Sequence, residues 1–434
     1  MPNKVSVVVP VYNPGEGIKK CIRSLRTQTL KDIEIIFIDD CGNDNAMTYI
    51  NKAAKHDERI KIFKNSCNIG SGQSRNKGIE MSTGEYLSFI DPDDYIYPDF
   101  LELLYKKAKE TGADIVKGSL RNSRLKNGTE KVGSTSAQNL RIRKGLEKGK
   151  PLYSLFFYEH TTAIYRRAFL LENSVFYGTS CNGEDLVFQL RACYGRRKIQ
   201  FEDRAVYVYV ERDGSNNRIT SVARLNGEIQ SVHEMLEFMA QQNEHTSESR
   251  DYLSRFVVKA LQVQKVISRN EELRKEASEI LNDFRKMLLN SPFLEELKVA
   301  CVIIGAFVDY NINLAALPYS KYWYQGTYNE YKDQIGLWVD FLCGHPQYKS
   351  GCQPTLWQVF EAAIVYDNWD KESGLDRKKE LREVRRQAHR LPDRRVLTDN
   401  YLSMKVFIDF GINAFSLRES KFGSIIKRIA ALAR

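Results

Sequence analysis

Val5-Ser6-Val7-Val8-Val9-Pro10-Val11 is a nearly continuous run of β-branched residues. It has the composition of a strand buried on both faces of a parallel sheet. Reading outward, Asn13-Pro14-Gly15 is a turn. Ile18 to Gln28 reads as a helix, with Ile18, Cys21, Ile22 and Leu25 on one face. A second strand, Glu34-Ile35-Ile36-Phe37-Ile38-Asp39, closes on Asp39-Asp40. Next come a helix through Ala46–Ala54, a strand over Ile60–Phe63, the Gly70-Ser71-Gly72 turn, a helix over Ser74–Met81 and a strand over Tyr86–Ile90. Strands alternating with helices predict an α/β domain, its sheet mostly parallel and covered by helices on both faces. Ligands of such sheets sit outside the carboxyl ends of the strands. Tyr12-Asn13, Asp39-Asp40 and Asp91-Pro92-Asp93-Asp94 all fall at those ends.

Further along, a helix is expected over 99–111, a strand over 114–118 and a strand over 205–210. Residues 121–150, polar and rich in Lys, Arg, Gly and Ser, read as loops or a weak hairpin. Near Thr220 the pattern turns helical, with Leu225, Ile229, Val232 and Leu236 at helical spacing. Two domains are expected: residues 1–220, and a mainly helical region over 221–434. The second would serve acceptor binding, oligomerisation or membrane docking. Within it, residues 371–395 carry ten Lys/Arg against five Asp/Glu. A last helix, Lys421 to Arg434, sets Phe422, Ile425, Ile426 and Ile429 on one face beside Lys421, Lys427, Arg428 and Arg434. Such a helix can lie in a membrane interface or pack on its own domain.

At 434 residues, 42% hydrophobic and 28% charged, the chain has a globular composition. Its formal charge of +10 favours anionic partners. None of the eight cysteines is spaced as C-x-x-C, so reduced thiols in a cytoplasmic protein are expected. No signal peptide is expected. The longest apolar run, Val299 to Val308, is half of what a bilayer crossing needs.

Two acidic clusters carry the chemistry. Alternate residues of an extended segment point the same way, so Asp91 and Asp93 can converge on one ligand. Their hard oxygens suit Mg²⁺ or Mn²⁺, which bind through one or two carboxylates plus substrate phosphates. A helix cap would also use an Asp here, but three carboxylates in four residues exceed what a cap needs. Glu184-Asp185 opens the helix-like stretch Leu186-Val187-Phe188-Gln189-Leu190. It reads either as a cap or as a general base for an acceptor hydroxyl. Gly70 to Gly78 allows close backbone approach, and Arg75 within it can offer paired donors to a phosphate. Arg212 and Ser215 could close over a diphosphate. His160 reads as a core or supporting residue, and Cys181 as a bystander.

The ordered set Val7-Val8-Val9-Pro10-Val11-Tyr12-Asn13, Ile38-Asp39-Asp40, Gly70–Gly78, Asp91-Pro92-Asp93-Asp94 and Glu184-Asp185 closely resembles glycosyltransferase family 2, the inverting enzymes of the Rossmann-like GT-A fold. The resemblance covers roughly residues 4–220. It implies that Pro10, Tyr12 and Asp40 line the base and ribose pocket, and that Arg75 reaches the base or diphosphate. Asp91 would touch the ribose or the metal shell, and Asp93, in an Asp-x-Asp motif, would ligate Mn²⁺ or Mg²⁺. Asp185 would be the base and Glu184 an acceptor contact. The Gln-x-x-Arg-Trp motif of processive members is absent. The implied activity is metal-dependent transfer of a hexose from a UDP-sugar to a surface glycan such as capsule or lipopolysaccharide. The acceptor could be lipid-linked and met at the cytoplasmic face of the inner membrane. Two other readings stay open: a sugar nucleotidyltransferase, and a basic scaffold or nucleic-acid binder built on 371–395. The first lacks a Lys-bearing glycine loop after the first strand; the second lacks interleaved aromatics for base stacking.

Overall fold

A computed structural model describes residues 3–126, 129–155, 159–211, 221–267 and 271–300, with isolated positions between 304 and 390. The chain forms two compact units, Met1–Ser249 and Arg250–Arg434.

The first unit opens with β1 (Val5–Val11), α1 (Gly17–Arg26), β2 (Ile33–Asp39), α2 (Ala46–Ala54), β3 (Ile60–Lys64), α3 (Gly70–Met81) and β4 (Tyr86–Phe89). β1 pairs in parallel with β2 on one side and β4 on the other, and β2 pairs in parallel with β3. Every residue of β1 and β2 is buried, which is why both lack polar alternation. α1 lays Ile18, Cys21, Ile22 and Leu25 onto this sheet, the stripe read from its spacing.

Beyond β4 the sheet becomes mixed. The chain continues through β5 (Tyr95–Ile96), α4 (Phe100–Thr111), β6 (Ile115–Lys126), β7 (Thr129–Thr135), α5 (Gln138–Glu147), two short 3₁₀ turns, β8 (Ala163–Arg166), α6 (Arg167–Glu172), α7 (Glu184–Cys193) and β9 (Ile199–Glu211). Strand order is β3-β2-β1-β4-β8-β6-β9-β5, with β7 on β6. β8 runs antiparallel to both β4 and β6. The polar stretch expected as loops or a weak hairpin is the β6–β7 hairpin followed by α5. α8 (Val222–Gln241) belongs to this first unit and packs on α7.

The described part of the second unit is helical: most of α9 (Ser247–Ile267), then α10 (Glu271–Leu289) and α11 (Leu294–Ala300). Tyr252, Phe256, Val257 and Leu261 on α9 are buried, as are Leu281, Phe284 and Leu288 on α10. Among the described residues no helix is long and apolar enough to cross a membrane. The 421–434 helix and most of 371–395 lie outside the described residues.

Candidate active site

The carboxyl ends of β1, β2 and β4 lie side by side, because β1 is the shared neighbour of the other two. Pro10 is buried within β1, and Tyr12, just past it, is 52% exposed. Asn13 turns into the left-handed region (φ 47°), and its side-chain oxygen accepts from the backbone N–H of Asn43 at 2.7 Å. That bond ties the loop after β1 to the loop after β2. Asp40 is buried and points its carboxylate at the loop after β3. It accepts from Asn65 Nδ2 at 2.8 Å and from the backbone N–H groups of Ile69 at 2.9 Å and Gly70 at 3.0 Å. Asp40 therefore fixes the entrance to α3.

α3 joins the two acidic clusters. The Nη2 of Arg75 donates to Asp91 Oδ1 at 2.6 Å, and its Nη1 donates to Glu184 Oε1 at 3.3 Å. Ser71 Oγ donates to the same Glu184 oxygen at 2.6 Å. Asn76 exchanges hydrogen bonds with both backbone groups of Tyr177, and Gln73 donates to the carbonyl of Gly178. The side chains of one helix thus staple the segment leading into α7 against the end of β4. Burial works against the charge of Arg75, but Asp91, then Tyr177 and Glu184, outweigh it and hold the guanidinium firmly protonated.

The three aspartates after β4 divide by environment. Asp94 is buried and accepts from Tyr207 Oη at 2.6 Å and Val210 N at 2.8 Å. Burial, then the neighbouring Asp91 charge, push its carboxyl up to about 8 against those two bonds. Asp91 and Asp93 are partly exposed. Gly17 gives Asp93 its room: a Cβ there would lie 3.1 Å from the Asp93 Cα. Among the described residues no three His, Cys, Asp or Glu side chains form a metal cage. A divalent ion completed by diphosphate oxygens needs only one or two carboxylates. Residues 91–94 form a turn, closed by Asp94 N–H donating to the Asp91 carbonyl at 3.1 Å, not the extended segment expected. Asp91 Oδ1 is held by Arg75, so Asp93, partly exposed, is the carboxylate whose hard oxygens suit that need, with Asp91 beside it in the turn.

Glu184 and Asp185 open α7, where their charge faces the positive end of the helix. Glu184 is buried by its bonds to Ser71 and Arg75. Asp185 is more accessible, with 23% of its side chain exposed, and its Oδ2 lies 3.9 Å from His160 Nδ1. α8 clamps the loop ahead of them. Ser231 Oγ donates to the carbonyl of Asn182 at 2.8 Å, and Glu234 accepts from the backbone and hydroxyl of Thr179. Gly183 stands at φ 83°, and a Cβ there would lie 2.8 Å from Ser231 Oγ. Sequence reasoning missed Ser71, Asn65, Tyr177 and this clamp; the i, i+4 relation of Ser71 to Arg75 was the one available hint. Arg212 and Ser215 lie outside the described residues.

A Rossmann-like half-sheet that turns mixed beyond β4 is the GT-A fold, and two carboxylate clusters meet one guanidinium at its carboxyl edge. Similarity to known proteins agrees. Residues 6–172 match the Glycosyl transferase family 2 model. The first unit is thus similar to glycosyltransferase family 2 over residues 6–172. The chain is 26% identical over 226 residues to the uncharacterized glycosyltransferase YibD of Escherichia coli, a match covering 50% of this chain and 64% of that protein. It is 31% identical over 224 residues to a poly(ribitol-phosphate) beta-glucosyltransferase of Bacillus spizizenii, covering 50% of this chain and 34% of that one. The chain thus spans less than two thirds of the length of both relatives. Among solved structures, Staphylococcus aureus TarS 1-349 in complex with UDP-GlcNAc superposes with a TM-score of 0.53 at 19% identity, covering 72% of this chain and 90% of that one. That likeness establishes the fold.

Proposed function

We propose that the protein is an inverting glycosyltransferase that moves a hexose from a UDP-sugar to a hydroxyl of a bacterial cell-surface glycan. The observation that carries this reading is the Arg75 bridge, which sets the donor-side Asp91 and the helix bearing Asp185 around one guanidinium. The activity named for the Bacillus spizizenii relative and the UDP-GlcNAc bound by TarS support the donor and acceptor classes.

In this reading the diphosphate lies over Asp91 and Asp93. A Mg²⁺ or Mn²⁺ held by Asp93, with Asp91, would supply positive charge to the leaving group. The loop fixed by Asp40 receives the base, and Tyr12 offers it an exposed ring. Arg75 keeps the helix of Asp185 at a set distance from the donor. Asp185 takes the proton of the acceptor hydroxyl as its oxygen attacks the anomeric carbon. The bond from that carbon to the phosphate oxygen breaks, and UDP leaves with the electron pair. Attack from the face opposite the leaving group inverts the centre.

The test is UDP release from UDP-glucose, UDP-galactose, UDP-GlcNAc and UDP-GalNAc, with and without Mn²⁺, in the presence of a polyol-phosphate polymer. One donor is expected to turn over faster with the polymer present. Asp185→Asn should lower kcat by about 10²–10⁴-fold, the usual worth of a general base, while donor binding by calorimetry stays unchanged. Asp93→Ala should abolish the response to Mn²⁺. Wild-type turnover in Asp185→Asn would remove it as the base, and an unchanged Mn²⁺ response would remove Asp93 as the ligand.

A further inference from the structure

His160 is buried to 95%, and neither ring nitrogen has a hydrogen-bond partner among the described residues. Leaving such a group unpaired costs about 1–3 kcal/mol. An apolar side chain in the same place would avoid that cost, because the surroundings are aromatic. The imidazole lies among Phe89, Tyr177 and Phe188, with ring centroids 6.5, 5.4 and 6.3 Å away. Its backbone carbonyl accepts from Tyr165 Oη at 3.0 Å, so the turn that carries it is held as well. Ring and backbone are both fixed, and Nδ1 is left 3.9 Å from Asp185 Oδ2.

Burial, then the nearby Arg75 charge, push the imidazole down to about 3. The ring is therefore neutral at physiological pH and carries one N–H. A neutral donor orients a carboxylate without forming an ion pair that would make it a feeble base.

We infer that His160 is a positioning residue for Asp185: its Nδ1–H donates to Asp185 Oδ2 in the acceptor-bound enzyme and turns Oδ1 toward the acceptor. Reaching hydrogen-bond distance from 3.9 Å takes a shift of about 1 Å. The inference rests on Asp185 being the base, and it requires the Nδ1–H tautomer of His160.

Three substitutions separate a positioning role from a structural one. The amide nitrogen of Asn overlays Nδ1 of histidine, whereas that of Gln overlays Nε2. In UDP release with the polyol-phosphate polymer, His160→Phe and His160→Gln should lose kcat by about tenfold to a hundredfold, the worth of one hydrogen bond to a charged group. The acid limb of their kcat–pH profiles should move to higher pH. Donor binding should hold within about twofold of the parent by the same single-bond reasoning. His160→Asn should recover most of the rate and the original limb. Full activity with an unmoved acid limb in His160→Phe would overturn the inference, as would Gln rescuing as well as Asn. Asp185→Asn turning over normally would instead sink the base reading itself. A readout independent of substrate is the ¹⁵N spectrum of histidine-labelled full-length protein, with the resonance assigned through His160→Asn. A protonated Nδ1 with neutral-ring shifts down to pH 5 is expected; an Nε2-protonated ring would overturn the proposal.

Discussion

Arg75 is the residue on which the site turns. Its planar fork reaches Asp91 with one nitrogen and Glu184 with another, and only 6% of its side chain is exposed. A lysine ammonium is a point charge and cannot keep both contacts in one plane. Removing the charge would leave the buried Glu184 and the partly exposed Asp91 without their shared cation. Arg75→Met is therefore expected to destabilise the fold by about 3–5 kcal/mol, the cost of breaking a buried ion pair from one side. Urea unfolding at pH 7 measures this, and a loss below about 1 kcal/mol, the level of an exposed pair, would show that the bridge holds little. The sequence made Arg75 visible as a candidate, but as a phosphate ligand. Its carboxylate partners lie 16 and 109 residues away, and spacing along a chain carries no record of such a meeting. The same blindness applies to the aspartates after β4. Composition shows three equal carboxylates; burial separates Asp94, held by Tyr207 and Val210, from its neighbours.

At the scale of elements, α3 explains most of what reading the chain could and could not reach. The strands β1 and β2 and the stripe on α1 were legible because their buried faces are apolar and their periods differ. α3 buries Gly72, Ser74, Arg75, Gly78 and Ile79 instead. Apolar periodicity is silent on such a face, so the first turn reads as a glycine loop. The glycines serve close packing: a Cβ on Gly78 would lie 2.2 Å from Val8 Cγ1, and one on Gly72 would lie 2.6 Å from Glu184 Cγ. Alanine is the better helix former by about 1 kcal/mol. Overpacking typically costs about 1–3 kcal/mol, and Val8 sits on a fully buried strand with little room to retreat. Gly78→Ala is thus expected to lower the urea midpoint and to weaken UDP binding, because α3 moves away from β1. A stabilised variant would mean that propensity, not packing, governs this helix. The β6–β7 hairpin was obscured for a different reason. Much of it faces solvent, and its register shifts between Arg121 and Ser123, so no apolar alternation marks it.

On the scale of the whole molecule, the change of pattern near Thr220 and the edge of the first compact unit at Ser249 bracket α8. Composition groups that helix with the helical region C-terminal to it, because helical periodicity is a local property. Packing joins it to the sheet domain instead. Val222, Leu225, Val232, Met235 and Leu236 are buried, and Ser231 and Glu234 hold the loop that presents Glu184 and Asp185. Glu244, just past α8, accepts from Tyr153 and Tyr194 as well. Each buried aliphatic side chain is worth about 1.5–3 kcal/mol, and a domain of this size has about 5–15 kcal/mol in total. Loss of α8 therefore takes away a share the fold cannot spare. A chain of residues 1–249 is expected to fold and to bind UDP within about threefold of the full-length protein, a difference below 1 kcal/mol. Residues 1–220 should fail to give a cooperative melt. Calorimetry with UDP and thermal unfolding of the two fragments decide the matter. A cooperative, UDP-binding 1–220 fragment would show that α8 is dispensable to the site.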